Sequence, residues 1–343
     1  MLRKIIIFLI AGIALALASM GFLGWKYVYK PNVNMDVENV SFYIRSTDNF
    51  ESVQSRLDSL NIIEDVKTFQ WVSKKMNLPN HIYPGRYIIS NEMNNRDLIK
   101  LLRSGRQTPV EITFNNIRTR AQLAGRLSEQ IELDSTVIAE RLFNSGYANK
   151  FGFNLENFAC MFIPNTYEVY WDISADQLFD RFNNEYHRFW AKSKREKAEA
   201  LGLSINEVSI LASIVEKETS IVEEYPIIAG VYLNRLKRGM PLQADPTIVF
   251  AIGDFTIKRV LHKHLEVESP YNTYKNAGLP PGPICIPSIQ AINSVLNKKS
   301  HDYLYFCAKD DFSGKHVFAK TLRQHNQNAR MYRKALNKRK IYN

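Results

Sequence analysis

Cysteine is scarce in this 343-residue chain, and the little there is lies far apart. Cys160, Cys285 and Cys307 make no CxxC pair, and the seven histidines supply no HExxH. Metal sites draw on several such ligands at short, regular spacing, so no metal is expected, and His262 and His264, alternating in a basic segment, read as surface groups. Recognised nucleic-acid motifs are lacking too, although the formal charge is +11. Lysine and arginine are scattered except over 323–340, which reads as an amphipathic basic helix. That sign of charge fits nucleic acid, anionic lipid, an anionic glycan or simply a solvated surface. Apolar residues make up 45%, which argues against wholesale disorder and allows a sizeable core in two or three domains.

Charge is missing altogether from Ile5 to Trp25, a run long enough to cross a bilayer as a helix. Arg3 and Lys4 precede it, and Trp25 and Tyr27 sit at its far boundary. The positive-inside rule keeps the N-terminus in the cytoplasm and puts everything after Lys30 outside. A cleaved signal peptide is the alternative, since Ala16-Leu17-Ala18 resembles a cleavage site. The run continues through Phe22 and Leu23, longer than a usual signal core, which favours an uncleaved anchor over 1–30. Substrates on the far side include cell-wall polymers, and ATP is not available there.

Residues 31–39 read as a short polar linker. An apparent internal repeat follows. Ser41 to Arg45 reads as a strand, Asn49 to Leu60 and Glu64 to Lys75 as helices; Pro84-Gly85-Arg86-Tyr87 opens a strand and Leu98 begins another helical stripe. The second copy has a strand at Val110 to Phe114 and helices at Arg120 to Ile131 and Ser135 to Phe143. Pro164-Asn165-Thr166-Tyr167 comes next, with Leu178 at the offset that Leu98 keeps from Pro84. Two related α+β modules are expected, over 40–105 and 108–190, with a further core over 200–320 and the basic helix over 321–343. The expected fold class is therefore α+β.

Ser204 to Ile221 carries the clearest helix start. Ser204 can cap it, Glu207 completes a capping box, and Leu203 with Val208 can close a hydrophobic staple. Leu211, Ile214 and Val215 form an apolar stripe, and Glu218 lies on it. Glu216 lies off it, by roughly 140° from Leu211. A carboxyl held against an apolar face resists ionisation, so its pKa should rise toward the value a general acid needs. Alternatively, Glu218 bends to solvent at the helix end or meets Lys217 or Arg235.

Pro226 to Lys237 suits a further helix stopped by Gly239, and Asp245-Pro246 starts a short one with Asp245 as its cap. Ser269 to Tyr274 and Gly278 to Pro283 are proline-rich loops with few conformations to lose on binding. Tyr303 to Ala308 and His316 to Lys320 look like a hairpin turning at Ser313-Gly314. Amide, hydroxyl and ring groups in these loops suit sugars, though Tyr271 and Tyr274 can equally pin a turn.

Several blocks together resemble one family. They are Leu211 to Thr219 (LASIVEKET), Val231 to Leu236 (VYLNRL), Leu242 to Thr247 (LQADPT), Tyr271 to Tyr274 (YNTY) and Gly278 to Pro283 (GLPPGP). In order and spacing the chain resembles the membrane-anchored endolytic murein transglycosylases, the YceG-like family, over nearly its whole length. The resemblance implies a single-pass plasma-membrane protein with its catalytic domain outside the cytoplasm. Its substrate would be the peptidoglycan glycan strand, cut between N-acetylmuramic acid and N-acetylglucosamine without water to leave a 1,6-anhydro-muramic end. It implies a LysM-like subdomain over 40–105, work beside cell-wall synthases, no cofactor and no nucleic acid. The family's catalytic glutamate falls on Glu218. Relatives place an acidic residue where this chain has Asn165, which puts a charged role there in doubt.

In that chemistry Glu218 protonates the bridging oxygen and then, as a carboxylate, takes the proton from the muramic 6-hydroxyl as it closes on C1. Gln243, Asn272 and Tyr271 are candidates for holding acetamido and hydroxyl groups. Asn234, Arg235, Asp245, Thr247, Thr273 and Tyr274, from the same blocks, complete the expected substrate contacts. A hydrolase pairing Glu218 with Asp245 or Glu216 stays open, as does a non-catalytic wall-binding scaffold.

Overall fold

The computed structural model describes residues 1–339. Its contacts divide the chain into two units: Met1–Ile112 with Gln130–Glu132 and Glu168–Ile173, and Thr113–Glu129 with Leu133–Tyr167 and the chain from Ser174 onward. Long helices and small sheets make the fold α+β.

The first unit begins with α1 (Leu2–Tyr29), exposed over most of its length and long and apolar enough to cross a membrane. Then come β1 (Asn39–Ile44), α2 (Phe50–Ser59), α3 (Val66–Lys75), β2 (Gly85–Ser90) and α4 (Asn95–Arg103). The helix starts are written in side chains, Asn49, Asp65 and Asn94 each accepting a backbone N–H of the first turn. β1 and β2 pair antiparallel with Phe42 opposite Tyr87. Every second residue of β2, Gly85, Tyr87 and Ile89, faces inward. They close on Val53, Leu57, Phe69, Val72, Leu98 and Leu102 as one core.

The segment 31–39, expected to be a polar linker, is partly seated in this core. Val33 is buried and bridges Ile63, and the buried Asn32 amide bonds Asn95 Oδ1 at 2.7 Å and the Asp65 carbonyl at 3.1 Å. Asn95 in turn donates to the carbonyl of Tyr27 at 2.9 Å. The Tyr27 ring meets Trp71 edge-on at 5.9 Å. The last turn of α1 is therefore built into the unit.

The element order repeats. β3 (Val110–Thr113), α5 (Arg120–Ser128), α6 (Ser135–Leu142), the short α7 (Ser145–Lys150), β4 (Thr166–Val169) and α8 (Ala175–Phe189) follow, with β3 paired to β4. One detail recurs in both copies. The buried Tyr87 hydroxyl donates to the carbonyl of Tyr83 at 3.0 Å, four residues back across Pro84. The buried Tyr167 hydroxyl donates in the same way to Ile163 across Pro164. In the second unit Phe114 and Phe182 pack on Tyr167, and Phe162 and Phe179 extend the cluster, mostly edge to face.

The rest of the second unit is α9 (Lys192–Ala200), α10 (Ile205–Glu218), α11 (Tyr225–Lys237), α12 (Asp245–Ile252), α13 (Ile289–Leu296), an antiparallel hairpin of β5 (Tyr305–Ala308) and β6 (His316–Ala319), and α14 (Leu322–Lys338). α14 is the basic helix expected from the sequence; of its expected span, 340–343 lies outside the described residues. α10 packs against α9, α11, α12 and α13. Gly282 passes so close to this unit's backbone that a Cβ there would stand 1.9 Å from the carbonyl oxygen of Glu156.

Truncation tests the root of α1. A chain beginning at Lys26 keeps the Tyr27 contacts, and one beginning at Pro31 loses them. The longer form is expected to be more stable by about 1–2 kcal/mol, from one aromatic pair and one buried hydrogen bond. Equal thermal melts for the two would show that this turn only leans on the unit.

Candidate active site

The site grows from α10. Its start is the expected capping box, with the Glu207 N–H donating to Ser204 Oγ at 3.2 Å and the Ser204 N–H to Glu207 Oε2 at 2.7 Å. The sequence suggests one buried stripe, but all eight residues from Val208 to Val215 are buried. Small residues on the other faces make that possible. Ser209 and Ser213 satisfy their hydroxyls on the carbonyls of Ile205 and Ile210, at 3.2 and 2.7 Å. Ser213 Oγ also accepts the Ile284 N–H at 3.0 Å, fastening the end of the proline-rich loop to the helix.

Glu218 is the last residue of α10 and is partly exposed. It borders two cavities, of about 420 Å³ and about 260 Å³, and Asp245 borders both as well. The Tyr232 hydroxyl donates to Glu218 Oε1; no hydrogen bond occupies Oε2 among the described residues. Lys217 does not take the carboxyl; it reaches Asn116 at 3.1 Å. Glu216, off the stripe, accepts the Ser288 N–H at 2.6 Å and ties α13 down.

Burial raises the Glu218 pKa from 4.5 to about 7. The Tyr232 hydrogen bond opposes that rise, the negative charge of Asp245 adds to it, and Arg235 opposes it. The negative end of the α10 dipole acts in the same direction as burial. Tyr232 is itself held well above 10, so it remains a donor. The group at the junction of the two cavities thus holds a proton near neutral pH and can still give it up, as a general acid must.

Arg235, Gln243, Asp245 and Tyr274 join Glu218 around the smaller cavity. Arg235 is buried and acts as a brace, donating to the carbonyls of Leu304 at 2.7 Å and Leu242 at 2.8 Å and to Gln243 Oε1 at 3.3 Å. Gln243 has a left-handed backbone, φ 51°, costly for a residue with a Cβ and held by its N–H bond to the Thr273 carbonyl at 3.0 Å. Asp245 does not cap α12 as expected. Ala244 takes the cap position, and the Asp245 carboxylate accepts the Tyr274 hydroxyl at 2.5 Å.

Five expected contacts are not brought to these cavities. Thr247, Asn272 and Thr273 are buried. The Asn272 amide holds the carbonyls of Leu265 and Val267 at 2.9 and 2.8 Å, and the Thr247 and Thr273 hydroxyls bond each other at 2.9 Å. Asn234 donates to the carbonyls of His301 and Tyr303, at 2.8 and 3.0 Å. Tyr271 lines a third cavity of about 390 Å³, beside Arg120 and Glu156. Tyr232 is the residue that sequence reasoning passed over. Its spacing of three from Arg235 on α11 was the available signal, since residues three apart share a helix face.

The raised pKa has a stability consequence. The unfolded chain ionises this carboxyl near 4.5 and the folded chain near 7. Between those values the folded state binds more protons, so stability falls as pH rises. The contribution is complete below about 4.5 and gone above about 7, at most about 3 kcal/mol. Glu218→Gln is therefore expected to melt above the wild type at pH 8, with the gap closing toward pH 4.5. A gap independent of pH would contradict a Glu218 whose pKa is raised in the folded protein.

Residues 42–331 match the YceG-like family. A Bacillus subtilis protein named endolytic murein transglycosylase is 28% identical over 331 residues, covering 91% of this chain and 89% of that protein. A protein of the same name from Streptococcus pneumoniae R6 is 28% identical over 351 residues, and the match spans 62% of its length. The crystal structure of a yceG-like protein from Listeria monocytogenes superposes with a TM-score of 0.56 at 27% identity, covering 84% of this chain and 99% of that one. A match that takes in most of both units and the whole of the site makes this chain a member of the YceG-like family.

Proposed function

We propose that this protein is an endolytic murein transglycosylase that cuts peptidoglycan glycan strands between N-acetylmuramic acid and N-acetylglucosamine and leaves a 1,6-anhydro-muramic end. The observation that carries the reading is a single partly exposed glutamate bordering two cavities, whose pKa burial raises to about 7. The names of the relatives support the same chemistry. α1 serves as the membrane anchor, with the rest of the chain on the outer side.

Glu218 donates its proton to the bridging oxygen as the bond breaks and positive charge develops at C1 of the muramic ring. Its carboxylate then accepts the proton of the 6-hydroxyl, which closes on C1. Atoms balance without water, and the carboxyl returns to its starting state once that proton is taken up. The Tyr232 hydroxyl steadies Oε1 throughout, leaving Oε2 for proton transfer. The attacking hydroxyl is already part of the substrate, so positioning supplies much of the rate.

A second reading rests on Asp245, which borders both cavities with Glu218. A carboxylate there offers the partner that a hydrolase uses to direct water at C1. Product analysis separates the two. Digestion of purified glycan in heavy-oxygen water is expected to give new ends lighter by one water and free of label, with chains of several disaccharides early. Label at the new end would overturn the transglycosylase reading in favour of the hydrolase. Glu218→Gln is expected to lower the rate by at least about 10²–10⁴-fold, with its fold checked by the melts described above.

A further inference from the structure

The two cavities at Glu218 differ in charge. The larger is bordered by Arg118, Lys217, Lys258 and Arg259, with only Glu218 and Asp245 as acids. The Arg118 guanidinium lies over the Phe255 ring at 4.7 Å, and both residues border the cavity. Lys217 is largely enclosed and tied to Asn116, with Glu216 at 3.8 Å. Lys258 is exposed, and no carboxylate pairs with it among the described residues. The smaller cavity contains rings and neutral polar groups, Tyr274, Tyr305, Phe306 and Gln243, and its one arginine, Arg235, is already committed to backbone carbonyls.

The two sugars flanking the cleaved bond also differ in charge. N-acetylglucosamine is neutral. The muramic residue carries a 3-O-lactyl acid, either free or extended by a peptide with carboxylates of its own. We propose that the larger cavity is an anion site for the carboxylates carried on the lactyl arm of the muramic residue being cleaved, and that N-acetylglucosamine occupies the smaller cavity. The assignment rests on the glycan-cleaving reading given above. It fixes the direction of the strand through the site and makes the lactyl arm a determinant of substrate choice. Lys258 and Arg259, from one loop, and Arg118, more than a hundred residues earlier in the chain, border the same cavity.

The test uses Glu218→Gln protein, which binds without turnover, and three muramoyl tetrasaccharides with one glycan sequence. One carries stem peptides, one carries free lactyl carboxylates, and one has those carboxylates capped as neutral methylamides. Calorimetry at low salt is expected to show at least one charged form binding about ten-fold or more tightly than the neutral one. The advantage should shrink with added salt, and whichever charged form binds better identifies the source of the anion. Adding Lys258→Gln, or separately Arg118→Gln, should drive the charged-to-neutral ratio toward one.

Equal binding of all three forms would overturn the assignment, as would variants that weaken all three by one factor. If binding is equal while the wild type still cuts peptide-bearing strands to anhydro ends, the anion site fails and the function stands. If none of the three binds and no strand is cut, the glycan reading fails and takes the anion site with it.

Discussion

A carboxyl at the end of an enclosed helix sits where a negative charge is least stable, and a single hydroxyl holds it there. The bond from Tyr232 to Glu218 Oε1 joins α10 to α11 at the point where both cavities meet. Three residues on, along the same face of α11, Arg235 fixes the turn at 241–243 and the start of the hairpin. Gln243 and Ala244 then bond to Thr273, which carries the constraint to the loop at 269–276. Each polar group in this chain of ties fixes the next. Glu218 can therefore remain neutral at the helix end without swinging to solvent, and the cavity walls keep their positions around it.

That arrangement explains which parts of the site could be read from sequence. The start of α10 was legible because a capping box involves only four neighbouring residues. The position of Glu218 was legible because helical periodicity needs only the spacing from Leu211. Asp245 was misread because its sequence neighbourhood, before Pro246, is that of a cap. Its actual partner, Tyr274, lies 29 residues away. Asn272 and Thr273 looked like sugar ligands because they are polar residues in a loop. A loop seated in the interior has backbone groups to satisfy, and their side chains are used for that. The cationic border of the larger cavity was not legible at all, since its members come from three separate segments.

The fold shows the same division. The order strand, helix, helix, strand, helix could be read twice because local periodicity governs each element. The burial of Asn32 and Val33 could not, since a short polar stretch after an apolar helix has no pattern that distinguishes a free connector from one lodged in a core. Side-chain amides decide the matter here: Asn32 and Asn95 bridge the segment to α3, α4 and the end of α1.

The fused root of α1 has a mechanical consequence. A helix that continues straight into a folded unit, with Tyr27 set against Trp71, transmits tilt and torque where a loose connector would absorb them. With α1 in a bilayer, the first unit rides on the membrane as a stalked body and cannot wander at the end of a leash. Its height above the lipid is then set by the stretch of helix between the apolar run and Tyr27, and whole turns inserted there would move the unit outward in steps of about 5.4 Å.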